Sequence, residues 1–448
     1  MATVIVVGGG ITGLTSAYLL QKEGHEVVLL EAGPRTGGKI RSERFHGVNI
    51  EAGADAFLPR DTGPLDIANE VGLGDRLIEP AVFGAYIYSD GALRRLPPGS
   101  SYGLPRSPVA AFKAGLLSPL GTARALSERV LGRRLRGPDV SIGEFVRSRF
   151  GVEVLERLVD PLLAGTRAGH PEQISLAAGA REIDALARTN GSVSRALRAS
   201  SDEIGAGSVR FVSIAGGLQR LCEALQGKLD DVHLDSPVDA LERVGSRYLV
   251  SASGSAFEAD RVVITAPAFT AARLVRSFND VAAEDLDSIR YVSSALVALA
   301  YPEGAFDPPV DGSGVLIPSR EGLFVTGITW YSSKWPAAKP TDGSLIFRCF
   351  VGRTSADEEI GWADDELIAR VVADVGSILS IDVEPIDGAV FHWDRAMPIY
   401  EVGHLERVAR IRAALPPAIA LAGAAFDGTG IPDCMRSAAG AATLVSGT

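Results

Sequence analysis

Among 448 residues there are only three cysteines, Cys222, Cys349 and Cys434, and only three methionines. Thiols so widely spaced make neither a disulfide framework nor a zinc pattern, so buried thiols in a reducing compartment are expected, and no metal. No stretch approaches the roughly 18 to 20 uninterrupted apolar residues that a membrane-spanning helix needs. The N-terminal apolar run is short, lacks a positively charged start and breaks into glycines, so it is not expected to be a secretory leader. A soluble, cytoplasmic protein is expected, at most peripheral to a membrane. Positive charge is also in deficit, with 44 basic against 55 acidic side chains and a net charge of −11. With no clustered basic motif, no nucleic-acid partner is expected. Internal repeats and low-complexity linkers are missing as well. What remains is 46% apolar sequence, enough for sizeable cores, at a length that suggests about three domains.

Glycine is plentiful, and its placement in the first forty residues is the strongest signal in the chain. Val4, Ile5, Val6 and Val7 form an uninterrupted β-branched run, the pattern of a buried parallel strand. Gly8-Gly9-Gly10-Ile11-Thr12-Gly13 follows. Gly8 suits a tight turn, Gly10 admits a pyrophosphate to the backbone, and Gly13 lets a helix pack close on the strand. Residues 14–22 read as that helix, with Gly24 as its stop, and residues 25–30 as a second strand. The phosphates of a bound dinucleotide would meet the helix's free amides and positive dipole end. Glu31 stands 18 residues beyond Gly13, where a carboxylate can bind ribose hydroxyls. An acid there disfavours a 2′-phosphate and hence NADP; NAD and FAD both stay open on this unit alone.

Residues 62–210 are rich in helical periodicity, at 65–71, 108–117, 122–131, 142–150, 152–163 and 175–187. Residues 101–136 carry seven basic side chains (Arg106, Lys113, Arg124, Arg129, Arg133, Arg134, Arg136) against the single acid Glu128, interleaved with leucines. A basic amphipathic helix of this kind rests on anionic lipid, attracts a polycarboxylate substrate, or is a solvated face; the pattern leaves all three open. Residues 232–264 turn to alternating strands with Gly254 at a turn, and 262–266 read as a buried strand stopped by Pro267. Several strands between 290 and 353 suggest a mixed sheet. Near the C-terminus, 418–423 read as another apolar strand, followed by Gly428, Gly430 and a helix from about Cys434 onward. A strand, a glycine loop and a helix start make a second site able to face a cofactor. The fold class expected is α/β, with a Rossmann-like domain assembled from discontinuous segments, a mixed-sheet domain and an inserted helical domain.

The segment Glu31-Ala32-Gly33-Pro34-Arg35-Thr36-Gly37-Gly38-Lys39-Ile40-Arg41 resembles the second signature of the FAD-dependent flavin amine oxidase superfamily. Phe391-His392-Trp393-Asp394-Arg395-Ala396-Met397-Pro398-Ile399-Tyr400-Glu401-Val402-Gly403-His404 resembles a signature of its coproporphyrinogen III oxidase and protoporphyrinogen oxidase branch. Gly423-Ala424-Ala425-Phe426-Asp427-Gly428-Thr429-Gly430-Ile431-Pro432-Asp433-Cys434 is similar to that branch's C-terminal flavin loop. Pro161-Leu162-Leu163-Ala164-Gly165-Thr166-Arg167-Ala168-Gly169, Ala215-Gly216-Gly217-Leu218 and Ser332-Ser333-Lys334-Trp335-Pro336 match further, so that the similarity spans nearly the whole chain.

The resemblance implies a non-covalent FAD. Gly8, Gly9, Gly10, Ile11, Thr12, Gly13, Glu31, Ala32 and Lys39 would hold its adenosine and pyrophosphate side. Gly53, Ala54, Asp55 and Ala56 would pass beside the flavin, and the Val238 backbone would meet the adenine. Trp393, Gly430, Ile431 and Pro432 would pack near the isoalloxazine ring. The domains implied are residues 1–61, 206–274 and 396–448 for FAD, 62–84 and 275–395 for substrate, and 85–205 as the helical insertion. Gly53-Ala54-Asp55-Ala56-Phe57 is similar to the soluble bacterial form, with Asp55 where membrane-attached relatives tend to carry an arginine. That favours coproporphyrinogen III over protoporphyrinogen IX as substrate, in haem biosynthesis. Dioxygen is the implied acceptor, and transient contact with a membrane surface or with haem-pathway enzymes is a further implied partnership.

Because the cofactor carries the chemistry, no catalytic acid or base is nominated. Substrate carboxylates call for arginine anchors; Arg60 and Arg167, with Gly165 beside them, are the candidates. His170 and Arg353 depart from the family's usual aspartate and glycine and bear on substrate choice. An amine oxidase would share the N-terminal motifs, yet the cysteine usual for covalent flavin attachment is missing near Trp393. A carotenoid desaturase and a non-enzymatic flavin-binding protein are the remaining alternatives.

Overall fold

The computed structural model describes residues 1–59, 62–82, 84–97, 100–167, 169–203, 211–306, 312–352 and 360–447, with side chains left out at 165–167 and 200–203. A parallel sheet of five strands runs in the order Ile419–Leu421, Arg261–Ile264, Thr3–Val7, Glu26–Leu30, Asp231–His233. Its strands come from both ends of the chain and from the middle, as expected of an assembled α/β unit. The first strand reads as a continuous apolar run because both faces are covered. Val4, Val6, Leu29 and Val263 pack under the helices Ile11–Lys22, Gln219–Gln226 and Ile431–Ser446. Ile5, Val7, Leu30, Val262 and Ile264 face the opposite way. They meet the helix Ala268–Val275 and the antiparallel strands Val238–Val244, Arg247–Ala252 and Ser255–Ala259.

A second sheet has seven strands, ordered Asp387–Pro398, Tyr291–Tyr301, Leu345–Val351, Val325–Trp330, Gly314–Leu316, Tyr86–Ser89, Ala92–Arg95. It is mixed, since Gly314–Leu316 runs parallel to Tyr86–Ser89 while the other pairs are antiparallel. Residues 86–95, which the implied bounds 85–205 place in the helical insertion, extend this sheet instead; the helices after them begin at Pro108. Their core gathers Leu116, Ala125, Phe145, Phe150, Leu155, Leu163 and Ile183. One face of the seven-stranded sheet packs on the helix Asp364–Leu379 through Val297, Leu299, Cys349 and Val351. The other carries Leu296, Ala298, Ala300 and Ile346 against the hairpin of Ser42–Phe45 and Val48–Glu51. All three thiols are buried and free, and among the described residues none belongs to a metal-binding cluster. No helix among them is long and apolar enough to cross a membrane.

Several elements differ from their sequence patterns for local reasons. The first helix starts at Ile11 rather than residue 14 because Gly10 already serves as its extended N-cap. The pattern at 175–187 divides into Leu176–Gly179 and Arg181–Thr189, since Ala180 leaves the helical conformation at φ −141°, ψ 57°. The pattern at 152–163 passes through a π turn over Leu155–Val159. Pro267 ends no more than the strand: it is the N-cap of the helix Ala268–Val275, where a missing amide proton costs nothing. The last helix begins at Ile431, three residues earlier than its apolar periodicity, with Pro432 in its first turn.

Candidate functional site

At the carboxyl end of the first strand, close approach dictates glycine. A Cβ on Gly13 would lie 1.8 Å from the Gly8 carbonyl oxygen and 2.8 Å from Thr265 Oγ1. Gly8 itself sits at φ +104°, a left-handed conformation that side chains disfavour. Thr265 Oγ1 lies 3.0 Å from both the Val7 and the Gly8 carbonyls and ties the turn to the neighbouring strand. Gly10 is different in kind, because a Cβ there would meet nothing within 4 Å. Its bareness serves something outside the protein's own packing. The helix behind it has no side-chain cap and no acid in its first turn, so its amides and positive dipole end face an open space.

Glu31 is fastened at this loop. Its Oε2 accepts the Gly9 amide at 2.5 Å and its Oε1 accepts the Gly33 amide at 2.8 Å. A carboxylate has about four acceptor positions, so sites remain for hydroxyl donors. The Gly37-Gly38 pair reaches the first loop: the Gly37 amide donates to the Gly9 carbonyl at 2.8 Å, and Gly37 bridges Gly10. Arg35 holds that stretch in shape, donating to the carbonyls of Thr36, Gly38 and Ile40 at 3.0, 2.8 and 3.1 Å. Ala32 is exposed beside Glu31. On the other flank, Glu31 donates its amide to His233 and accepts from the Ser236 amide, while the Asp235 amide donates to Gly33. This places Val238, buried and paired with Ala252, just beyond the segment that meets Glu31.

Further along, Lys39 extends its ammonium to the Ala396 carbonyl at 2.6 Å. The lysine is exposed, yet desolvation by the surrounding protein lowers its pKa. Gly53 lies close by: a Cβ would come within 2.4 Å of the Lys39 carbonyl oxygen and 3.6 Å of the Trp393 ring. Trp393 donates its indole proton to the Ala52 carbonyl at 2.8 Å. Ala54 is exposed and Ala56 half-buried. The last helix presents a second uncapped N-terminus at Gly430, Ile431 and Pro432. It packs beside the first helix, where Thr12 flanks Gly423. Contacts thus join Gly9 and Gly10 to Glu31 and Gly37, and Gly53 to Lys39 and Trp393, while Val238 follows the segment that meets Glu31 and Gly430 heads the helix packed on the first. Bare Gly10, the uncapped and acid-free start of the first helix and the Lys39 ammonium are what an extended, twice-negative dinucleotide needs, and the residues fit FAD.

Asp55 takes a role its motif does not reveal. Its Oδ2 accepts from Lys334 Nζ at 2.8 Å and Trp335 Nε1 at 3.2 Å, and faces Arg348 Nη1 at 3.3 Å. Burial by itself would raise its pKa, but the Lys334 ammonium and the Arg348 guanidinium hold it at about 2. Arg348 was invisible to motif reading, although one signal existed: it is the single polar residue but for Cys349 in the strand Leu-Ile-Phe-Arg-Cys-Phe-Val, and it is fully buried. Tyr400 is the second omission. Its hydroxyl donates to Ala424 at 2.5 Å and accepts the Gly428 amide at 2.8 Å, and its ring stacks on His404 with centroids 4.1 Å apart. Burial keeps the His404 imidazole neutral, with its pKa brought down to about 4.

The arginine anchors fare differently. Arg60, the Arg167 side chain and Arg353 lie outside the described residues, while Gly165 sits within the helix Asp160–Arg167. The basic stretch 101–136 forms the helices Pro108–Lys113 and Pro119–Leu131. Its lone acid, Glu128, is buried, accepting from the hydroxyls of Ser192 and Ser194 and from the Val193 amide. Leu120, Val130 and Leu131 are exposed.

Known proteins agree with this geometry. The family model described as flavin containing amine oxidoreductase matches residues 11–446. A coproporphyrinogen III oxidase of Bacillus subtilis (strain 168) is 33% identical over 451 residues, covering 96% of this chain and 95% of that protein. One from Mycobacterium bovis (strain ATCC BAA-935 / AF2122/97) is 36% identical over 445 residues, covering 98% and 96%. The crystal structure of a putative protoporphyrinogen oxidase from Exiguobacterium sp. 255-15 superposes with a TM-score of 0.87 at 30% identity, covering 99% of this chain and 98% of that one.

Proposed function

The chain belongs to the flavin containing amine oxidoreductase family and is an FAD-dependent oxidoreductase, and from that premise we propose that it oxidises coproporphyrinogen III to coproporphyrin III in haem biosynthesis. The observation that carries this reading is full-length similarity to coproporphyrinogen III oxidases. Protoporphyrinogen IX is the second reading, favoured by the name of the Exiguobacterium relative. The flavin unit comprises residues 1–61, 206–274 and 396–448.

Within it, Gly10, Ile11, Thr12 and Gly13 offer the pyrophosphate backbone amides and a helix dipole, and Glu31 offers ribose an acceptor. Lys39 adds a cation, and Val238 bounds the adenine. Residues 53–56, Trp393 and the start of the last helix enclose the ring end and exclude water. The chemistry supplied on binding is acceptance of a hydride at N5 from a methylene bridge, with loss of a pyrrole N–H proton. Three such rounds pass six electrons to three dioxygen molecules, giving three hydrogen peroxide. Asp55, held ionised by two cations, is a weak proton acceptor, in keeping with a reaction that needs no strong base. Arg60 and Arg167, with Gly165, are the proposed substrate-binding residues, the arginines as anchors for the substrate's propionates.

Anaerobic mixing of the purified holoprotein with coproporphyrinogen III and protoporphyrinogen IX in turn tests the reading. Rapid bleaching of the flavin band is expected with the first and slower bleaching with the second. Aerobically, three peroxides per porphyrin are expected. A band that neither compound bleaches would refute a porphyrinogen oxidase.

A further inference from the structure

Where the seven-stranded sheet meets residues 52–55, the sheet supplies donors and the chain segment supplies acceptors. Trp393, on the edge strand, donates to the Ala52 carbonyl. Arg348, two strands away, donates through Nη2 to the Gly53 carbonyl and faces Asp55 through Nη1 at 3.3 Å. Lys334 and Trp335, from the turn after the strand Val325–Trp330, complete the grip on Asp55. Arg348 shares its sheet face with Ile346 and Phe350, and its guanidinium carbon lies 5.3 Å from the ring centroids of both Tyr331 and Phe350. Its Nε and Nη1 have no hydrogen-bond partner among the described residues, so Nη1 meets Asp55 as an ion pair, and the residue is fully buried.

A buried guanidinium with an unpaired N–H is an expensive way to hold two strands together; apolar side chains of similar volume would do so at least as well. Its retention calls for something that a fixed fork and a fixed charge provide. One arm hydrogen-bonds the Gly53 carbonyl and the other ion-pairs with a carboxylate two residues on, which together hold the backbone of residues 53–55 at two points. The charge is uncompensated, because Arg348 and Lys334 face one carboxylate, and burial of the nearby Glu51 pushes its pKa up to about 7, half removing the next negative charge.

We propose that Arg348 is a positioning residue for the flavin, fixing the backbone of residues 53–55 against the ring and contributing, with Lys334, the buried positive field that favours the reduced cofactor. The inference rests on the placement of residues 53–56 beside the flavin given above, and needs nothing about the substrate. An electron pair added to a ring near net positive charge is stabilised, and the effect is strong where water is excluded.

Two substitutions separate the fork from the charge. Arg348→Lys keeps the charge and loses the two-point hold; Lys334→Gln loses a charge and one contact on Asp55 but leaves both arms of Arg348 in place. Flavin absorbance, FAD dissociation and midpoint potential are measured on each purified holoprotein. R348K is expected to shift the flavin band and weaken FAD binding at least tenfold with little change in potential. K334Q is expected to lower the potential with the band in place. If R348K does not fold, Asp55→Asn serves: it releases one end of the fork and removes a negative charge, so the band shifts and the potential rises. A wild-type band and FAD affinity in R348K, or in D55N where that is used, overturns the proposal. Exposed Ala54 supplies the control on placement, since Ala54→Leu disturbs the flavin without burdening the protein's own packing. A disturbed flavin in A54L beside an undisturbed one in R348K refutes the role of Arg348 alone. An undisturbed flavin in both refutes the placement itself.

Discussion

The indole proton of Trp393 and the carbonyl of Ala52 meet at 2.8 Å, joining the edge strand of the seven-stranded sheet to residues bordering the cofactor cleft. Trp393→Phe keeps a ring and deletes the donor. A loss of about 1 kcal/mol is expected, with the carbonyl left to find water in a half-buried place. Thermal unfolding with and without added FAD checks it, and the gap between wild type and variant should widen when FAD is present.

Gly10 and Gly13 predict opposite failures. An alanine methyl at position 13 drives into the Gly8 carbonyl, so Gly13→Ala should separate helix from strand and yield little folded protein. At position 10 the methyl meets open space at φ −67°, an ordinary backbone conformation. Gly10→Ala should therefore fold with stability within about 0.5 kcal/mol of wild type. Its FAD dissociation constant should rise at least tenfold, roughly 1.4 kcal/mol. Equal FAD affinity in Gly10→Ala would show that the pyrophosphate lies elsewhere.

Glu51 gives stability a pH dependence of known sign. Burial raises its pKa from 4.5 to about 7, although the Leu218 amide and the Ser42 hydroxyl bond to it at 2.6 and 2.9 Å. A group whose folded pKa is raised stabilises most below its unfolded pKa. That contribution is lost as pH climbs from about 4.5 to about 7, by a few kcal/mol at most. Glu51→Gln should flatten this part of the profile. Denaturant midpoints at several pH values measure it; a slope unchanged in E51Q assigns the effect to another group.

Tyr400 controls the glycine loop ahead of the last helix. Phenylalanine there leaves the Ala424 carbonyl and the Gly428 amide without their shared hydroxyl. Tyr400→Phe should cost about 1–3 kcal/mol and speed FAD release. Stopped-flow dilution of the holoprotein, followed by flavin fluorescence, checks the rate.

Much of the cofactor cleft was legible because its demands are local. Gly13 answers a steric need set by the Gly8 carbonyl five residues away, Gly8 a turn with positive φ, and Gly10 leaves its Cβ position empty, while Glu31 is placed by the length of one helix and one strand. Residues 53–56 and Trp393 needed the family resemblance, since nothing in their own spacing reveals them. The helix at 175–187 was misread because its break at Ala180 is a backbone angle imposed by packing rather than by residue type. Residues 86–95 read as part of the helical insertion because edge strands four residues long carry little periodicity, and their membership in the sheet comes from pairing with Gly314–Leu316.

The amino-acid sequence alone determined the dinucleotide loop, the α/β class and the gathering of distant segments into one parallel sheet, because buried strands and glycine turns are written in consecutive residues. Tertiary structure decided the network of Asp55, Lys334, Trp335 and Arg348. Asp55 stands 279 residues before Lys334, and an arginine in an apolar strand shows its purpose only when a carbonyl and a carboxylate are folded against it.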